Sequence, residues 1–520
     1  MPSNDRDINP WMIALAVILP TFMEVLDTSI ASVALPYIAG SVSATIDEAT
    51  WVLTSYLVAN AVVLPSSSWF SLRFGRKRFL ITCIIIFTVS SFMCGASTSL
   101  AMILIARAVQ GAGGGALQPL SQAILLESFP PAKRGLAMAM FGLGVVVAPV
   151  LGPTLGGWLT DTYSWRWAFY INIPVGLLAI AMITRYVHDP IYIRNARAGK
   201  LDKIGFGLLA IWLAILQIIL DKGQEDDWFG ASWIRWGTAV LIIAFVVFII
   251  WEWNKHQPLV NLRVFRERNF MIGCLLIALF GGVIYGLVTL LPLFYQELMG
   301  YTALLSGIAV SPRGLGAIVA MPVIGVLTSR LDNRYLIGFG FLLFSACSMW
   351  FADINLGIGQ WTLTWAIILS GFASGCVFVP LSTASMARLP NEQIGNAAGL
   401  YNLLRNIGGS IGISMINTLL SRHEQLHRAE LVHNITPDNP IFQRQLSGFT
   451  RAVQLAPAPE LHLPSQRAMD LINGQLSQQA SLLSFVDDFR YLAVVCAICV
   501  PLVFFLRRTV AKKGAVGAAH

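Results

Sequence analysis

The sequence predicts an all-α integral membrane protein, and both its composition and the grouping of its apolar residues lead to this fold class. Apolar residues make up 56 % of the 520-residue chain and charged residues only 12 %, whereas a soluble domain carries about 25 % charged residues. The mean hydropathy is +0.68. Because the apolar residues form runs close to the length of a bilayer-spanning helix, most side chains are expected to face lipid or one another.

Fourteen apolar runs are predicted to cross the membrane as helices. In chain order, they cover residues 11–35, 49–71, 79–98, 101–125, 135–159, 167–187, 204–221, 234–253, 269–295, 304–328, 335–353, 361–386, 394–420 and 488–507. An even number of spans places both ends of the chain on the same side of the membrane.

The charges of the short loops predict which side is cytoplasmic. Loops after the even-numbered spans are rich in Lys and Arg, as in Arg73–Arg78, whereas the other loops hold the acidic clusters Asp47–Glu48 and Glu225–Asp227. Because cytoplasmic loops carry an excess of Lys and Arg, both termini are expected in the cytoplasm. The net charge of +8 then reflects orientation, and no basic and aromatic run indicates nucleic-acid binding.

One predicted loop is much longer than the others. Residues 421–487 form a polar segment on the predicted outer side. Connecting two spans needs only a few residues, so the extra length is expected to form an amphipathic hairpin or to contact a partner. The alternative is a solvated, flexible loop. His423 and His427 are four residues apart in this segment, but no further ligands cluster nearby, so a metal site is not expected.

An internal repeat predicts the domain organisation. The fourth span holds Gly114 followed by Pro119–Ser121, and the twelfth holds Gly375 followed by Pro380–Ser382 at the same spacing. The second and tenth spans are each followed by a basic turn. An offset of eight spans fits two six-helix halves separated by two additional helices, an arrangement typical of secondary transporters. The predicted parts are an N-terminal half in 1–200, two additional spans in 201–268 and a C-terminal half in 269–520.

Ionisable residues inside the spans are the main candidates for proton coupling, because a charge near the bilayer centre costs roughly 2.5–3.5 kcal/mol. Glu24 and Asp27 share one face of the first span. Asp27 and Arg107 fall at a similar depth, roughly 9–12 Å from the outer side, and are expected to pair. Asp27 is the expected proton carrier, and Glu24 either takes that role or binds cationic substrates. The alternative is a static Asp27–Arg107 pair that only fixes packing.

Further polar residues in the spans are candidates for a substrate cavity. They are Asn60, Gln110, Gln118, Gln296, Arg313, Asn402 and Arg405. Arg405 is expected to pair with a backbone carbonyl or a substrate anion, and Arg313 to line the cavity. Interhelical hydrogen bonding is an equally good use of the uncharged side chains.

The fifth span carries a glycine pattern that fits a moving helix interface. Gly152 precedes Pro153, and Gly156 and Gly157 follow. Glycines four residues apart permit close helix approach, and proline kinks a helix. The alternative is static close packing.

Several segments together resemble the major facilitator superfamily, and specifically its fourteen-span drug:proton antiporters of the EmrB/QacA type. The segments, which extend over nearly the whole chain, are Leu26–Pro36, Thr50–Tyr56, Arg73–Arg78, Arg107–Gly111, Gly152–Gly157, Trp165–Gly176 and Asn402–Ser410. The resemblance implies a major facilitator fold and export of hydrophobic or amphipathic small molecules in exchange for protons, by alternating access. It also implies conformational gating by Arg73, Gly75 and Arg76 and by the fifth-span glycines. The family's cytoplasmic turn has an acidic residue where this chain has Leu72.

The same resemblance implies partners. The chain would be the inner-membrane part of a tripartite efflux system with a periplasmic membrane-fusion adaptor (EmrA-like) and an outer-membrane channel (TolC-like), and the 421–487 segment lies on the side required for such contact. The alternative is an exporter of a specific metabolite, fatty acid or siderophore with the same fold.

Enzymes and channels are disfavoured as function classes. No nucleotide-binding loop occurs in the sequence, and no histidine lies within a predicted span. No catalytic cluster is therefore expected, nor a bound cofactor or metal. Repeated halves with a buried carboxyl and arginine fit alternating access better than a channel.

Overall fold

The computed structural model describes residues 9–194, 199, 201–433, 435–436, 438–455 and 464–508, and its regular structure within these ranges is helical. The helices of the first part are α1 (Pro10–Ser41), α2 (Ile46–Phe74), α3 (Arg76–Gly95), α4 (Leu100–Gly114), α5 (Leu117–Ser128), α6 (Arg134–Thr162), α7 (Trp167–Tyr170), α8 (Asn172–Tyr186) and α9 (Ile191–Arg194). The remaining helices are α10 (Lys203–Lys222), α11 (Ser232–Asn254), α12 (Arg268–Glu297), α13 (Ala303–Val310), α14 (Pro312–Leu327), α15 (Asn333–Ala352), α16 (Gln360–Met386), α17 (Asn391–Val432), α18 (Pro440–Leu455) and α19 (Pro464–Val503).

Twelve of the predicted spans coincide with helical segments that are long and apolar enough to cross a membrane. The split expected near Ser99 is present, because the Ser99 hydroxyl caps α4 by accepting from the backbone N–H of Met102. The fourth span is interrupted between α4 and α5 at Gly115, where an added Cβ would lie 2.5 Å from the Asn60 carbonyl oxygen on α2. Glycine is needed there for the close approach of the two helices.

The other two predicted spans lie within longer helices. The apolar run 394–420 continues without a break to Val432 in α17, and the run 488–507 is preceded by helix from Pro464 in α19. The segment predicted as the loop 421–487 is therefore largely helical where it is described. No glycine or proline occurs between Ser421 and Val432 to end the helix. Positions 434, 437 and 456–463 of this predicted loop lie outside the described residues.

The long helices form a bundle in which the first and last parts of the chain contact each other. Helix α1 packs mainly on α6, α12 on α17, and α14 on α16. Contacts between the two parts run from α6 to α14 and from α2 to α17. Buried Phe87, Phe141 and Phe341 belong to one continuous apolar core. The two ends of the chain thus build one molecule around a shared interior.

The helix pair α10 and α11 lies at one side of this interior. The two helices pack on each other, and α10 also contacts both α2 and α17. Asp202 holds the start of the pair, because it accepts from the backbone N–H of Gly205 at 3.1 Å and from Trp251 at 2.8 Å. Burial raises the pKa of Asp202, but these two hydrogen bonds and the nearby Lys255 together lower it below its ordinary value.

One face of the bundle carries both ends of the described chain, and we call it the terminal face. Trp11 at the start of α1 contacts Phe129, which follows α5, with ring centroids 5.1 Å apart. Across this face, Arg134 donates to Asn391, which begins α17. The guanidinium of Arg268 at the start of α12 donates to the carbonyl of Phe505, which follows α19.

On the opposite side, α17, α18 and α19 form an arm that we define as residues 421–433, 438–455 and 464–487. Helices α17 and α18 both pack on α19. His427 pairs with Asp487 at 2.8 Å, and the His423 ring lies 3.6 Å from buried Asp488 at the base of the arm. The two histidines stand in an H-E-x-x-H sequence, but the described residues hold no group of three or more ligating side chains placed to bind a metal ion.

Candidate functional site

A cavity of about 310 Å³ lies where the early helices, α10 and the late helices meet. Its walls come from α1, α2, α4, α5 and α6 on one side and from α12 and α17 on the other. Most of its wall surface is apolar, with contributions from Leu53, Leu57 and Val288, although about half of the lining residues, such as Asn60 and Thr289, carry polar groups. A cavity whose surface is mainly apolar and that also carries fixed polar groups is the usual form of a site for a small organic molecule.

Glu24 is the carboxyl that lines this cavity. Its Oε1 accepts from the Asn60 amide at 3.0 Å and from the Tyr56 hydroxyl at 3.4 Å, and its Oε2 accepts from Gln118. Gln118 in turn accepts from Arg405 through its side-chain oxygen. The partners of Glu24 are therefore neutral groups, and the nearest arginine on this network reaches it only through Gln118.

Asp27, one turn further along α1, lies in a different environment. It is buried against Arg107, whose Nη1 donates to it at 2.6 Å, and it also accepts from Gln110 at 2.9 Å and from Asn172 at 2.6 Å. Arg107 also donates to the Val52 carbonyl at 3.0 Å. The expected contact between Asp27 and Arg107 is thus present, as a closed ion pair between α1 and α4.

Arg313 and Arg405 line a second, smaller cavity of about 30 Å³. The rest of its wall is almost entirely apolar and includes Val145, Phe280 and Phe378. Pro149, Tyr285 and Val288 line both cavities, so the two spaces adjoin. The chain therefore presents the Glu24 carboxyl to the larger space, together with Arg107, which is paired with Asp27. It presents two further arginines to the adjoining smaller space.

The other residues predicted for a substrate cavity lie elsewhere. Gln110 is buried beside Asp27 and accepts from Arg107 at 2.8 Å. Asn402 is buried and donates to Gln122 at 2.6 Å, a link from α17 to α5. Gln296 is exposed near the end of α12, next to Ser306. In this conformation these three side chains take part in interhelical contacts or face outward rather than line the larger cavity.

The basic turn after α2 is fixed by acidic groups from distant parts of the chain. Arg76 donates to both carboxylate oxygens of Glu127, at 2.8 and 3.1 Å, and to Tyr192 at 2.7 Å. Burial raises the pKa of Tyr192, so its hydroxyl stays protonated and donates to Glu127. The turn has Leu72 where the family has an acidic residue, and Glu127 of α5 is the acidic partner of Arg76 instead. Arg73 is exposed.

Gly75 occupies the corner of this turn for a geometric reason. Its φ of +87° is one that residues with a side chain rarely adopt. The backbone N–H of Lys77, two residues further on, donates to the Asp189 carboxylate at 2.8 Å. A Cβ on Gly75 would lie 2.9 Å from the same carboxylate, so glycine is required by both the backbone and the available space.

The fifth-span glycines differ in what they contact. A Cβ on Gly152 would lie 2.4 Å from the Cβ of Ser29 on α1, and one on Gly156 would lie 3.3 Å from the Cα of Ile30. A Cβ on Gly157 would meet Leu304 at 3.7 Å, an ordinary contact distance. Pro153 packs against Gly307 of α13. The motif therefore joins α6 to α1 on one side and to α13 on the other.

Sequence reasoning missed several residues of the larger cavity. Tyr56 and Tyr285 line it, and so does Gln217 from α10, which accepts from the Ser410 hydroxyl at 3.1 Å. An isolated tyrosine or glutamine in an apolar run carries no local signal of which way it faces. Only the contact of α10 with α2 and α17 shows that an additional span reaches the interior.

Comparisons with known proteins agree with this architecture. The model of the Major Facilitator Superfamily matches residues 17–413. Multidrug export protein EmrB of Escherichia coli (strain K12) is 37 % identical over 512 residues, which cover 98 % of each chain. Fatty acid resistance protein FarB of Neisseria gonorrhoeae is 33 % identical over 501 residues, which cover 95 % of this chain and 96 % of FarB.

A solved structure supports the same fold independently of close sequence similarity. A double-tryptophan mutant of XylE aligns with a TM-score of 0.60 at 15 % identity, and the alignment covers 97 % of each chain. The resemblance in the motifs is thereby confirmed by the family model, by full-length relatives and by the fold. The chain is a multi-pass membrane protein that belongs to the major facilitator superfamily.

Proposed function

We propose that the protein is a proton-coupled exporter of hydrophobic or amphipathic small molecules. The observation that carries the proposal is the mainly apolar cavity of about 310 Å³ with the Glu24 carboxyl on its wall. Such a cavity offers a place for an apolar body and one ionisable group within reach of it. The similarity to EmrB, which is named a multidrug export protein, supports the same assignment.

Proton coupling is assigned to Glu24, Asp27 and Arg107. Glu24 faces the cavity and has neutral hydrogen-bond partners, so it is the group for which a substrate and a proton compete. Asp27 is the proton carrier that the sequence predicts, and its role stays a prediction. Its closed pair with Arg107 at 2.6 Å suits a carboxyl that takes up a proton only when the pair opens.

Transport would follow from movement of two halves, residues 1–200 and 269–520, around the cavity. The proposed gating elements are the turn at Arg73, Gly75 and Arg76 and the α6 segment from Gly152 to Gly157. Their support is geometric, because the turn is latched by Glu127 and the α6 glycines lie at close helix contacts. Residues 201–268 would add a side wall, to which Gln217 contributes.

We place the protein in the inner (plasma) membrane with the terminal face in the cytoplasm. Arg76, Arg134 and Arg268 lie at helix starts on or near that face, as the excess of basic residues in cytoplasmic loops requires. The arm then projects on the outer side. We propose that it contacts a periplasmic adaptor (EmrA-like), which would connect to an outer-membrane channel (TolC-like).

Transport by inverted membrane vesicles tests the main proposal. We expect vesicles that hold the wild type to accumulate ethidium when a proton gradient is imposed, and vesicles with Asp27→Asn to lose this accumulation while the protein still reaches the membrane. Equal accumulation by the wild type without a gradient would show that transport is not proton-coupled. Gradient-dependent transport by Asp27→Asn at the wild-type rate would move coupling to Glu24 alone.

Replacement of residues 434–463 of the arm, which include α18, tests the adaptor proposal. A variant in which residues 434–463 are exchanged for a short Gly/Ser linker keeps the long helices α17 and α19. We expect adaptor recovery with the tagged protein from native membranes to fall, and efflux from whole cells to fall with it, while dye transport by vesicles persists. Unchanged efflux and no adaptor in the wild-type sample would contradict the proposal.

A narrower substrate range is the second candidate function. FarB, which is named a fatty acid resistance protein, is similar over nearly the whole chain. Arg313 and Arg405 beside the cavity favour a substrate with an acid group. Growth inhibition by a panel of unrelated hydrophobic compounds, in cells with and without the protein, separates broad efflux from protection against only one compound class.

A further inference from the structure

Two buried arginines line the smaller cavity, and most of their N–H groups have no acceptor among the described residues. The side chain of Arg313 is 1 % exposed, and its Nε, Nη1 and Nη2 have no hydrogen-bond partner among the described residues. Arg405 is 2 % exposed and donates from Nη2 to Gln118 and Asn406, but its Nε and Nη1 have no partner in the same part of the chain. Neither arginine forms an ion pair with a described carboxylate.

This arrangement is unfavourable unless something else occupies the cavity. An unpaired charge in a medium of low dielectric constant loses its hydration and gains nothing in return. Asp27–Arg107 shows how the same interior treats a structural arginine, because Arg107 has a carboxylate at 2.6 Å. In place of a carboxylate, the described residues offer Arg313 the face of Phe344, with the guanidinium carbon 5.9 Å from the ring centroid.

From these contacts we infer that Arg313 and Arg405 form an anion subsite that holds the carboxylate of an amphipathic substrate whose apolar body occupies the larger cavity. The space beside the two guanidinium groups is about 30 Å³, which is enough for about two water-sized groups and so for an acid head group alone. The shared wall of Pro149, Tyr285 and Val288 leads from this space into the cavity of about 310 Å³.

The chemistry of guanidinium favours this class of ligand. Its planar array of N–H groups matches the two oxygens of a carboxylate, and charge-assisted hydrogen bonds are the strong ones in a dry site. Gln118 also connects the subsite to the rest of the cavity, because it accepts from Arg405 and donates to Glu24. A cavity with an acidic end at Glu24 and a basic end at Arg313 and Arg405 accepts molecules of either charge in different orientations.

The inference rests on the proposed function for the identity of the cavity, but its test needs no proton gradient. Equilibrium binding of 1-pyrenebutyrate and of the uncharged 1-pyrenebutanol is measured with the full-length protein in nanodiscs, by energy transfer from tryptophan to pyrene. The wild type is expected to bind the carboxylate roughly tenfold or more tightly than the alcohol. Failure of this preference would leave proton-coupled transport untouched, and loss of coupling would leave the preference untouched.

Two substitutions remove the subsite and one serves as the control. Arg313→Gln and Arg405→Gln are each expected to lower the affinity for pyrenebutyrate to that for pyrenebutanol, without change in pyrenebutanol binding. Arg235→Gln removes an exposed arginine and is expected to keep the wild-type preference. Equal affinity of the wild type for both probes would show that the arginines are only hydrated structural groups. So would an equal fall in the affinity for pyrenebutyrate and for pyrenebutanol in the two subsite variants.

Two further measurements keep the test decisive if a glutamine variant does not fold. Arg313→Lys keeps the charge and loses the planar array of donors, so an intermediate preference is expected. On the wild type alone, benzoate is expected to displace pyrenebutyrate at concentrations at which benzamide does not. Displacement by both compounds alike would contradict the subsite.

Discussion

At the scale of single residues, two carboxyls three positions apart on α1 have different surroundings. Asp27 has an arginine and two amides around it, all within 2.9 Å, whereas Glu24 has neutral donors and an open cavity beside it. The sequence predicts the pairing of Asp27 and Arg107 because both fall at the same depth. It does not distinguish the two carboxyls, because the side of a helix that meets a cavity depends on helices far away in the chain.

The Asp27–Arg107 pair makes a prediction about stability. Asp27→Asn leaves Arg107 buried without a counter-charge, which costs about 3–5 kcal/mol for a buried pair. We expect the thermal midpoint in detergent to fall for Asp27→Asn and for Arg107→Gln. The double variant is expected to recover most of the loss, because no uncompensated charge remains. Additive losses in the double variant would show that the two groups do not depend on each other.

Apart from the Asp27–Arg107 pair, the sequence does not predict which groups contact the buried charges. Glu127, Asp189 and Tyr192 fix the turn after α2, yet they are 51, 112 and 116 residues away from the groups they bind. Such pairs have no signal in local spacing. Arg76 and Gly75 were identified by their motif, and the physical reason for each became visible only with the contacts around them.

At the scale of elements, hydropathy was sufficient to predict the spans because an apolar run and a bilayer have matching lengths. The run 204–221 agrees within a residue with α10 (Lys203–Lys222). The sequence offers an amphipathic hairpin for residues 421–487, but hydropathy does not predict where a helix ends outside the membrane. The continuation of α17 and α19 into the arm is therefore not predicted. Helix continuation there depends on the absence of breaking residues rather than on apolar character.

The close contact of α6 with α1 predicts a difference between two glycines of one motif. Gly152→Ala would place a methyl group 2.4 Å from the Ser29 Cβ, so the two helices must separate, at about 1–3 kcal/mol. Gly157→Ala adds a methyl group at ordinary distance from Leu304. Thermal unfolding of both variants is the measurement, with Gly157→Ala as the matched control. Equal stability of both variants would contradict the close packing at Gly152.

The latch at the turn predicts a dependence between Arg76 and Glu127. Arg76→Gln removes the charged donor of both hydrogen bonds, and Glu127→Gln removes the negative charge and one of the two acceptor oxygens. We expect each variant to lose at most about 1.5–3 kcal/mol per bond. Because the two residues act together, the double variant is expected to be little worse than either single one. Arg73→Gln, at an exposed position, is expected to change stability by less than about 0.5 kcal/mol. A double variant with fully additive losses would exclude the latch.

At the scale of the whole molecule, the interior is shared by three parts of the chain. Early helices supply Glu24 and Asn60, late helices supply Tyr285 and Ser410, and α10 supplies Gln217. The internal repeat predicts two halves, but it carries no information on where the additional helices lie. Their position beside α2 and α17 gives them a direct effect on the cavity.

This position of α10 makes a prediction about substrate range. Gln217→Ala removes the hydrogen bond that Ser410 donates at 3.1 Å. The shorter side chain also enlarges the cavity between α10 and α17. We expect the pattern of transported compounds to shift toward bulkier ones, with the proton dependence unchanged. Transport assays in vesicles with small and large dyes of the same charge measure this. An unchanged ratio of the two rates would show that α10 does not contribute to substrate selection.

A substrate and a proton are proposed to compete for Glu24, and proton release on substrate binding tests this competition most directly. Ethidium is added to the purified protein in weakly buffered detergent, and the pH is followed with an indicator. A cation beside the carboxyl takes the place of its proton. We predict proton release by the wild type and none by Glu24→Gln, with ethidium binding still detectable by fluorescence. Equal release by both proteins, or none by the wild type, would contradict the account.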